Sequence, residues 1–149
     1  VDNLKKTRHR IFQLLATQRL AVLSTQYHGE PYANLVGFAA DTDLRRIFFA
    51  TPETTRKYRN LTADPRVALL IDSRSHQEAD FHQAAAVTAV GKAAVVDLSA
   101  DGESAADRYL SRHPYLVDFL RAPTTRLIQV FVDRYVLVEN FQEVMELRM

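Results

Sequence analysis

The sequence predicts a mainly β domain: six or seven mostly antiparallel strands curled into a small barrel, with two or three helices on the outside. Three observations predict it. After Gln18 the spacing of apolar residues changes from helical to strand-like, and short runs rich in Val, Leu, Phe and Thr then recur between turn clusters. The third is the well-kept apolar and polar alternation from Arg126 to Asn140. Closing such a sheet on itself removes its edges, and an open sheet with helices on one face is the rival arrangement. The length of 149 residues, with 47% hydrophobic and 25% charged, suits one globular domain spanning residues 1–149.

In chain order, Leu4, Ile11, Phe12, Leu14 and Leu15 fall at helical spacing and predict an amphipathic helix ending near Gln18. Leu20 to Gln26, Tyr32 to Ala40 and Arg46 to Thr51 follow as a meander of three antiparallel strands, separated by His28-Gly29-Glu30-Pro31 and Asp41-Thr42-Asp43. In the second run Tyr32, Asn34, Val36 and Phe38 alternate with mostly smaller residues, as where one face packs inside a tight barrel. Gly37 there either admits another group to the backbone or relieves a bend.

Glu53 to Ala63 is helix-compatible, with Thr54 or Thr55 as N-cap, Tyr58 and Leu61 as inward anchors, and Asp64-Pro65 as its end. Val67 to Asp72 reads as a buried strand and Ala84 to Asp97 as a longer one that Gly91 bends, with a polar loop from Ser73 to Gln83 between them. Glu103 to Leu120 holds one or two helices interrupted near His113-Pro114. Arg126 to Val132 and Arg134 to Asn140 read as a final hairpin turning at Asp133, with a tail from Phe141 to Met149.

Composition excludes several classes. The 19 basic and 18 acidic residues leave a net charge of +1, so no field that would gather nucleic acid or an anionic membrane is expected. Without cysteine there is no disulfide, thiolate nucleophile or cysteine-held metal centre. No apolar run reaches the length that spans a bilayer, and the polar, basic start has no apolar signal core, so the expected location is cytoplasmic.

The segment richest in chemistry runs from Phe48 to Leu61. A strand ends at Ala50-Thr51, and a helix opens on Thr54-Thr55 followed by Arg56, Lys57 and Arg59. Free N–H groups at a helix start, beside Arg and Lys, form a receptor for a phosphate dianion. Taken alone, the same pattern more often marks a capped helix facing solvent.

From about Leu15 to Leu98 the order of elements resembles the pyridoxamine 5′-phosphate oxidase-like, FMN-binding split-barrel superfamily. The oxidases of that family carry Tyr-Thr at the strand end and then Ser-Arg-Lys, where this chain has Ala50-Thr51 and Thr55-Arg56-Lys57. Asn60-Leu61 and Asp64 to Leu70 resemble the helix exit and next strand. The resemblance implies a six- to seven-stranded antiparallel split β-barrel that works as a homodimer with FMN at the interface. Arg56 and Lys57, with Thr55, would hold the flavin phosphate. The ring would lie along Asn34, Leu35, Val36 and Gly37, beside Ala50 and Thr51.

The departures are informative. Asn34 and Ala39 stand where the oxidases have Arg and Lys, Ala86 stands at or near a ring-contacting Gln, and their C-terminal substrate signature has no match. A doubly charged B6 phosphate would lack those contacts, which argues against a pyridoxamine phosphate oxidase and leaves the substrate unassigned. No residue is assigned as catalytic, because the flavin would carry the redox chemistry.

In the loop after Asp72, the resemblance lets Ser73 and Arg74 reach a flavin ring or substrate anion, including across a dimer. His76, Asp80 and His82 could in principle form a metal or haem site, although solvation alone explains a polar loop and no metal site is assigned. Alternatives to an FMN oxidoreductase are a non-catalytic flavin- or haem-binding protein, with His82 or His76 as axial ligand, a deazaflavin-using reductase, or a protein that has lost its cofactor. Tyr27, His28, His113 and Tyr115 are expected at the surface or in packing.

Overall fold

A computed structural model describes residues 2–99, 102–140 and 142–149. Its elements in chain order are α1 (Asp2–Thr17), β1 (Leu20–Tyr27), β2 (Glu30–Gly37), β3 (Ala39–Ala40), β4 (Arg46–Pro52), α2 (Arg56–Ala63), β5 (Arg66–Asp72), α3 (Asp80–Gln83), β6 (Ala86–Val95), α4 (Gly102–Arg112), α5 (Val117–Arg121), β7 (Thr125–Glu139) and β8 (Glu143–Arg148). A short 3-10 turn, Pro114–Leu116, separates α4 from α5, as the proline requires.

All strands are antiparallel, in the order β2-β1-β5-β6-β7-β4-β3, with β8 on β7. The two ends of that path, β2 and β3, are consecutive pieces of one run that breaks at Phe38. The sheet therefore curls round until its ends meet in a single stretch of chain, which gives a split barrel rather than the open sheet. The expected three-stranded meander is corrected accordingly. β1 and β2 form a hairpin on a two-residue turn, His28-Gly29, with positive φ at both (50° and 81°). β4 meets the second run only through Ala39 and Ala40 and spends its length on β7.

Side chains that point inward from β1, β4, β5 and β7, among them Leu23, Ile47, Phe49, Leu69 and Ile128, fill the main core, and α1 adds Ile11, Leu14 and Leu15. Thr7 is buried, whereas Leu4 and Phe12 lie on the exposed side of α1. On β4 the alternate residues Phe48 and Ala50 enter a second core with Ala39, Ala105 and Tyr109 beneath α4, so this strand is covered on both faces. β5 is not. Val67, Leu69 and Ile71 point inward, but Leu70 is 36% exposed on a bare outer face shared with Leu20 (57%) and Leu35 (64%). The reading of this run as a fully buried strand is corrected to one buried on a single face.

The expected hairpin at Asp133 is a β-bulge. β7 continues for 15 residues, and its pairing shifts from Gly91↔Val132 to Val90↔Arg134, which leaves Asp133 without a partner in the ladder. The buried positions change phase there, from Val130 and Val132 to Tyr135 and Leu137, and a phase change in alternation looks like a turn in sequence. The real turn precedes β8, so most of the tail is a strand; Phe141 lies outside the described residues.

Gly91 makes the bulge possible: a Cβ there would sit 2.2 Å from the carbonyl oxygen of Phe131, closer than any real contact. Gly91→Ala is expected to lower stability by at least ~2 kcal/mol, read as a shift of the urea midpoint with unchanged m-value.

Candidate functional site

The break at Phe38 leaves two strand edges unpaired. β2 has β1 on one side and no strand on the other. Its even-numbered residues turn their backbone groups toward β1, as the Phe38 N–H donating to Arg19 O (3.2 Å) shows. Ala33, Leu35 and Gly37 therefore aim theirs outward, into the gap. On β4 the bond from the Asp41 N–H to Arg46 O (3.0 Å) and the pair Ala39↔Phe48 set the same alternation, so Ala50 aims its backbone toward β2. The lips of the split are thus the outer edge of β2 and the end of β4.

α2 begins where β4 ends. Thr51 is buried, and its hydroxyl lies 2.7 Å from that of Thr55, both beside the Pro52 carbonyl. Thr55 is the N-cap, accepting from the Tyr58 N–H at 3.3 Å. Leu61 and Asn60 are buried, Tyr58 is half-buried, and the Asn60 amide donates to Thr25 on β1 at 3.0 Å, which pins the helix across the β1–β2 hairpin. On the same side the Arg56 guanidinium stands 5.2 Å from the centre of the Tyr32 ring and that of Arg59 4.3 Å from Tyr27. Glu30, Asn60 and these four residues line one recess.

Lys57 is half-buried, and desolvation pulls its pKa below the ordinary lysine value. Asn34, next but one to Tyr32 on β2, keeps its amide oxygen buried without a partner while its nitrogen makes only a long bond to Leu35 O (3.4 Å). Unsatisfied buried acceptors are uncommon in folded proteins, and both that the described residues show, on Asn34 and Asn60, belong to β2 and to the helix laid across its hairpin.

The other predicted residues divide. Val36 packs in the main core and Ala50 in the second. Leu35 projects outward and, with Leu20, Val22, Leu70, Asp72, Arg74 and His76, lines a groove on the outer face of β1, β2 and β5. Arg74 pairs with Asp72, and Ser73 exchanges hydrogen bonds with Ala85 at the mouth of the β5–β6 hairpin. Ser73 and Arg74 thus line a different surface from the recess of Arg56. The Asp80 carboxylate accepts from the N–H groups of Ser75 and His76, which together with the Ser75 hydroxyl lower its pKa. His82 is exposed in α3, and among the described residues no group of three or more His, Cys, Asp or Glu could hold a metal ion.

Tyr109 escaped the sequence reading, and His113 is expected from it only at the surface or in packing. Tyr109 and His113 are only 2% and 1% exposed, and both reach β2 from α4 and its end. The Tyr109 hydroxyl donates to Gly37 O at 3.2 Å, and His113 Nε2 lies 2.7 Å from Phe38 O, so that nitrogen carries the proton. A Cβ on Gly37 would stand 3.4 Å from His113 Cε1 and 3.6 Å from the Tyr109 oxygen, so the close approach at Gly37 is made by this chain's own residues. Their i, i+4 spacing puts both on one face of the helix expected up to His113-Pro114, which is the signal that could have found them.

The sequence matches the pyridoxamine 5′-phosphate oxidase family over residues 7–141. No curated protein matches it. Among solved structures, a haem-binding protein from Mycobacterium smegmatis superposes with a TM-score of 0.84 at 17% identity, over 95% of this chain and 57% of that one. A FAD-binding protein from Mesorhizobium loti gives 0.72 at 16% identity, over 87% and 90%. A putative pyridoxamine 5′-phosphate oxidase from Listeria innocua gives 0.68 at 14% identity, over 96% and 99%. At such identities the likeness is one of fold, and the chain spans little more than half of the mycobacterial protein. The match over nearly the whole sequence and the split barrel agree: the chain belongs to the pyridoxamine 5′-phosphate oxidase family.

Proposed function

We propose that the protein is an FMN-binding flavoprotein oxidoreductase that acts as a cytoplasmic homodimer on a substrate other than a B6 phosphate. The observation that carries this reading is the junction of β4 and α2, where hydroxyls, free helical N–H groups and a half-buried lysine open beside an unpaired strand edge. Arg56, Lys57 and Thr55 bind the phosphate. The outward N–H and C=O groups of Ala33 and Leu35 suit a flavin's pyrimidine edge, and the orphan oxygen of Asn34 suits a ribityl hydroxyl. Bound there, the flavin supplies the hydride chemistry.

Ala39 supports the exclusion of B6 phosphates: it is 1% exposed in the second core beneath α4 and offers no charge to a substrate phosphate where the oxidases have Lys. The bare apolar face around Leu20, Leu35 and Leu70 suits a second copy of the chain. A second reading, haem or flavin held without turnover, draws on the fold shared with the mycobacterial haem-binding protein and on His76 beside that apolar groove.

An absorption spectrum of the purified protein, with FMN added where none co-purifies, separates these readings. Bands near ~450 nm and released FMN are expected, the flavin being the seat of chemistry; a Soret band would move the assignment to haem and His76 or His82. Arg56→Ala and Lys57→Ala are each expected to weaken FMN about ten- to a hundredfold while leaving riboflavin, which lacks the phosphate, nearly unaffected. Equal losses for both ligands would remove the phosphate assignment.

Lys57 adds a pH signature. Its folded pKa lies below its unfolded value, so over the interval between them the unfolded chain holds the proton and stability of the ligand-free protein rises with pH. That rise, measured by urea unfolding from pH 7 to 10.5, is expected to shrink in Lys57→Met, and FMN affinity of the unaltered protein to fall over the same interval. For the dimer, Leu35→Asp is expected to give a monomer by light scattering at micromolar concentration.

A further inference from the structure

We propose that Tyr109, with His113 behind it, is the positioning residue that sets the width of the split between β2 and β4 and closes its Gly37 end, so that a planar ring enters only as far as Leu35 and Val36. This inference rests on the flavin reading above and concerns residues that no expectation from sequence placed in the site.

The geometry is that of a missing strand-to-strand hydrogen bond supplied by a side chain. The Tyr109 hydroxyl donates to Gly37 O on one lip (3.2 Å), and Tyr109 packs with Ala50 on the other, whose backbone N–H faces the hydroxyl. Were β2 and β4 in register there, those two backbone groups would be candidates for a direct bond, and the split would be shut. An interposed oxygen spaces them as a bridging water does, but on a ring that cannot leave.

His113 holds the neighbouring carbonyl, of Phe38, through Nε2, and its Nδ1 lies 3.5 Å from the Tyr115 hydroxyl. The Tyr109 and His113 rings are 5.0 Å apart, and Ala39, Phe48 and Leu127 pack with Tyr109. Burial raises the Tyr109 pKa to about 12, so the hydroxyl keeps its proton and its role as donor to Gly37 across the neutral range. With both aromatic residues fixed, the ring end of the site is a wall and the α2 end remains open.

The experiment compares FMN and riboflavin binding by the unaltered protein and by Tyr109→Phe, which removes the bridging oxygen and keeps the ring. Both dissociation constants are expected to rise by the same factor, about five- to tenfold, because the ring site loosens while the phosphate receptor is untouched. Arg56→Ala, by contrast, separates the two ligands. Unchanged affinities in a folded Tyr109→Phe, or a loss for FMN alone, would overturn the inference and leave the flavin reading standing. Failure of the unaltered protein to bind either flavin would remove both.

Should Tyr109→Phe lose its fold, amide exchange in the unaltered protein decides. Riboflavin is expected to slow exchange at Leu35, whose N–H faces the open stretch, and to leave Ala50, already covered by Tyr109, unchanged. Protection of Ala50 without Leu35 would mean that the ring displaces Tyr109 and would overturn the inference.

Discussion

One run of chain, Glu30 to Ala40, has to serve both ends of the same sheet. Its first part pairs with β1 and its last two residues with β4, and Phe38 is where it passes from one to the other. Such a crossing normally abandons backbone groups in the interior, at a cost of one to several kcal/mol for each unpaired group. Here three of the groups at the crossing find partners elsewhere in the chain. The Phe38 N–H is taken by Arg19, its carbonyl by His113 and the Gly37 carbonyl by Tyr109. The barrel is closed by covalent continuity and left open in its hydrogen bonding, and the candidate site is the opening.

The two sides of the barrel wall follow from that crossing. Where the run joins β4, α4 must lie over it to deliver Tyr109 and His113, and so β4 acquires a second core on its outer face. Where the run joins β1, no helix follows, and Leu20, Leu35 and Leu70 are left uncovered. At about 25 cal/mol per Å² of apolar surface withdrawn from water, such a face favours association once it is extended over a standard interface. The half of the barrel that needs no helix to finish its hydrogen bonds is the half that a second chain could cover.

Local chemistry was legible in the sequence and long-range chemistry was not. Thr54 or Thr55 as cap, Tyr58 and Leu61 as anchors and Asp64-Pro65 as stop are each decided within one helical turn, and of the two cap candidates the structure uses Thr55. The His28-Gly29 turn likewise depends only on backbone preference. The failures share one cause. Asp133 imitates a turn because a bulge changes the phase of alternation, and the residue that makes the bulge, Gly91, lies on the neighbouring strand. His113 looks isolated in sequence, and Tyr109 carries no local signal, because their partners, Phe38 and Gly37, are far away along the chain. Apolar composition of β5 says nothing about which face another element covers, and so Leu70 was read as buried.

The site's polar groups also bear on what kind of selectivity one chain can exert. The lips of the split offer backbone N–H and C=O groups, which recognise the common amide edge of a flavin or a deazaflavin without separating them. The α2 end offers charge, which separates phosphorylated from unphosphorylated ligands and little else. Tyr109 spends its one O–H on the Gly37 carbonyl, so it has no proton left to donate to a substrate. The cations on the other surface, led by Arg74 beside Asp72, sit at the rim of the bare apolar face rather than in the split. On the proposed reading, substrate choice would fall to the rim and to whatever covers that face while the split would fix the cofactor class, so the residues that resemble the family's bear on the cofactor and are silent about the reaction.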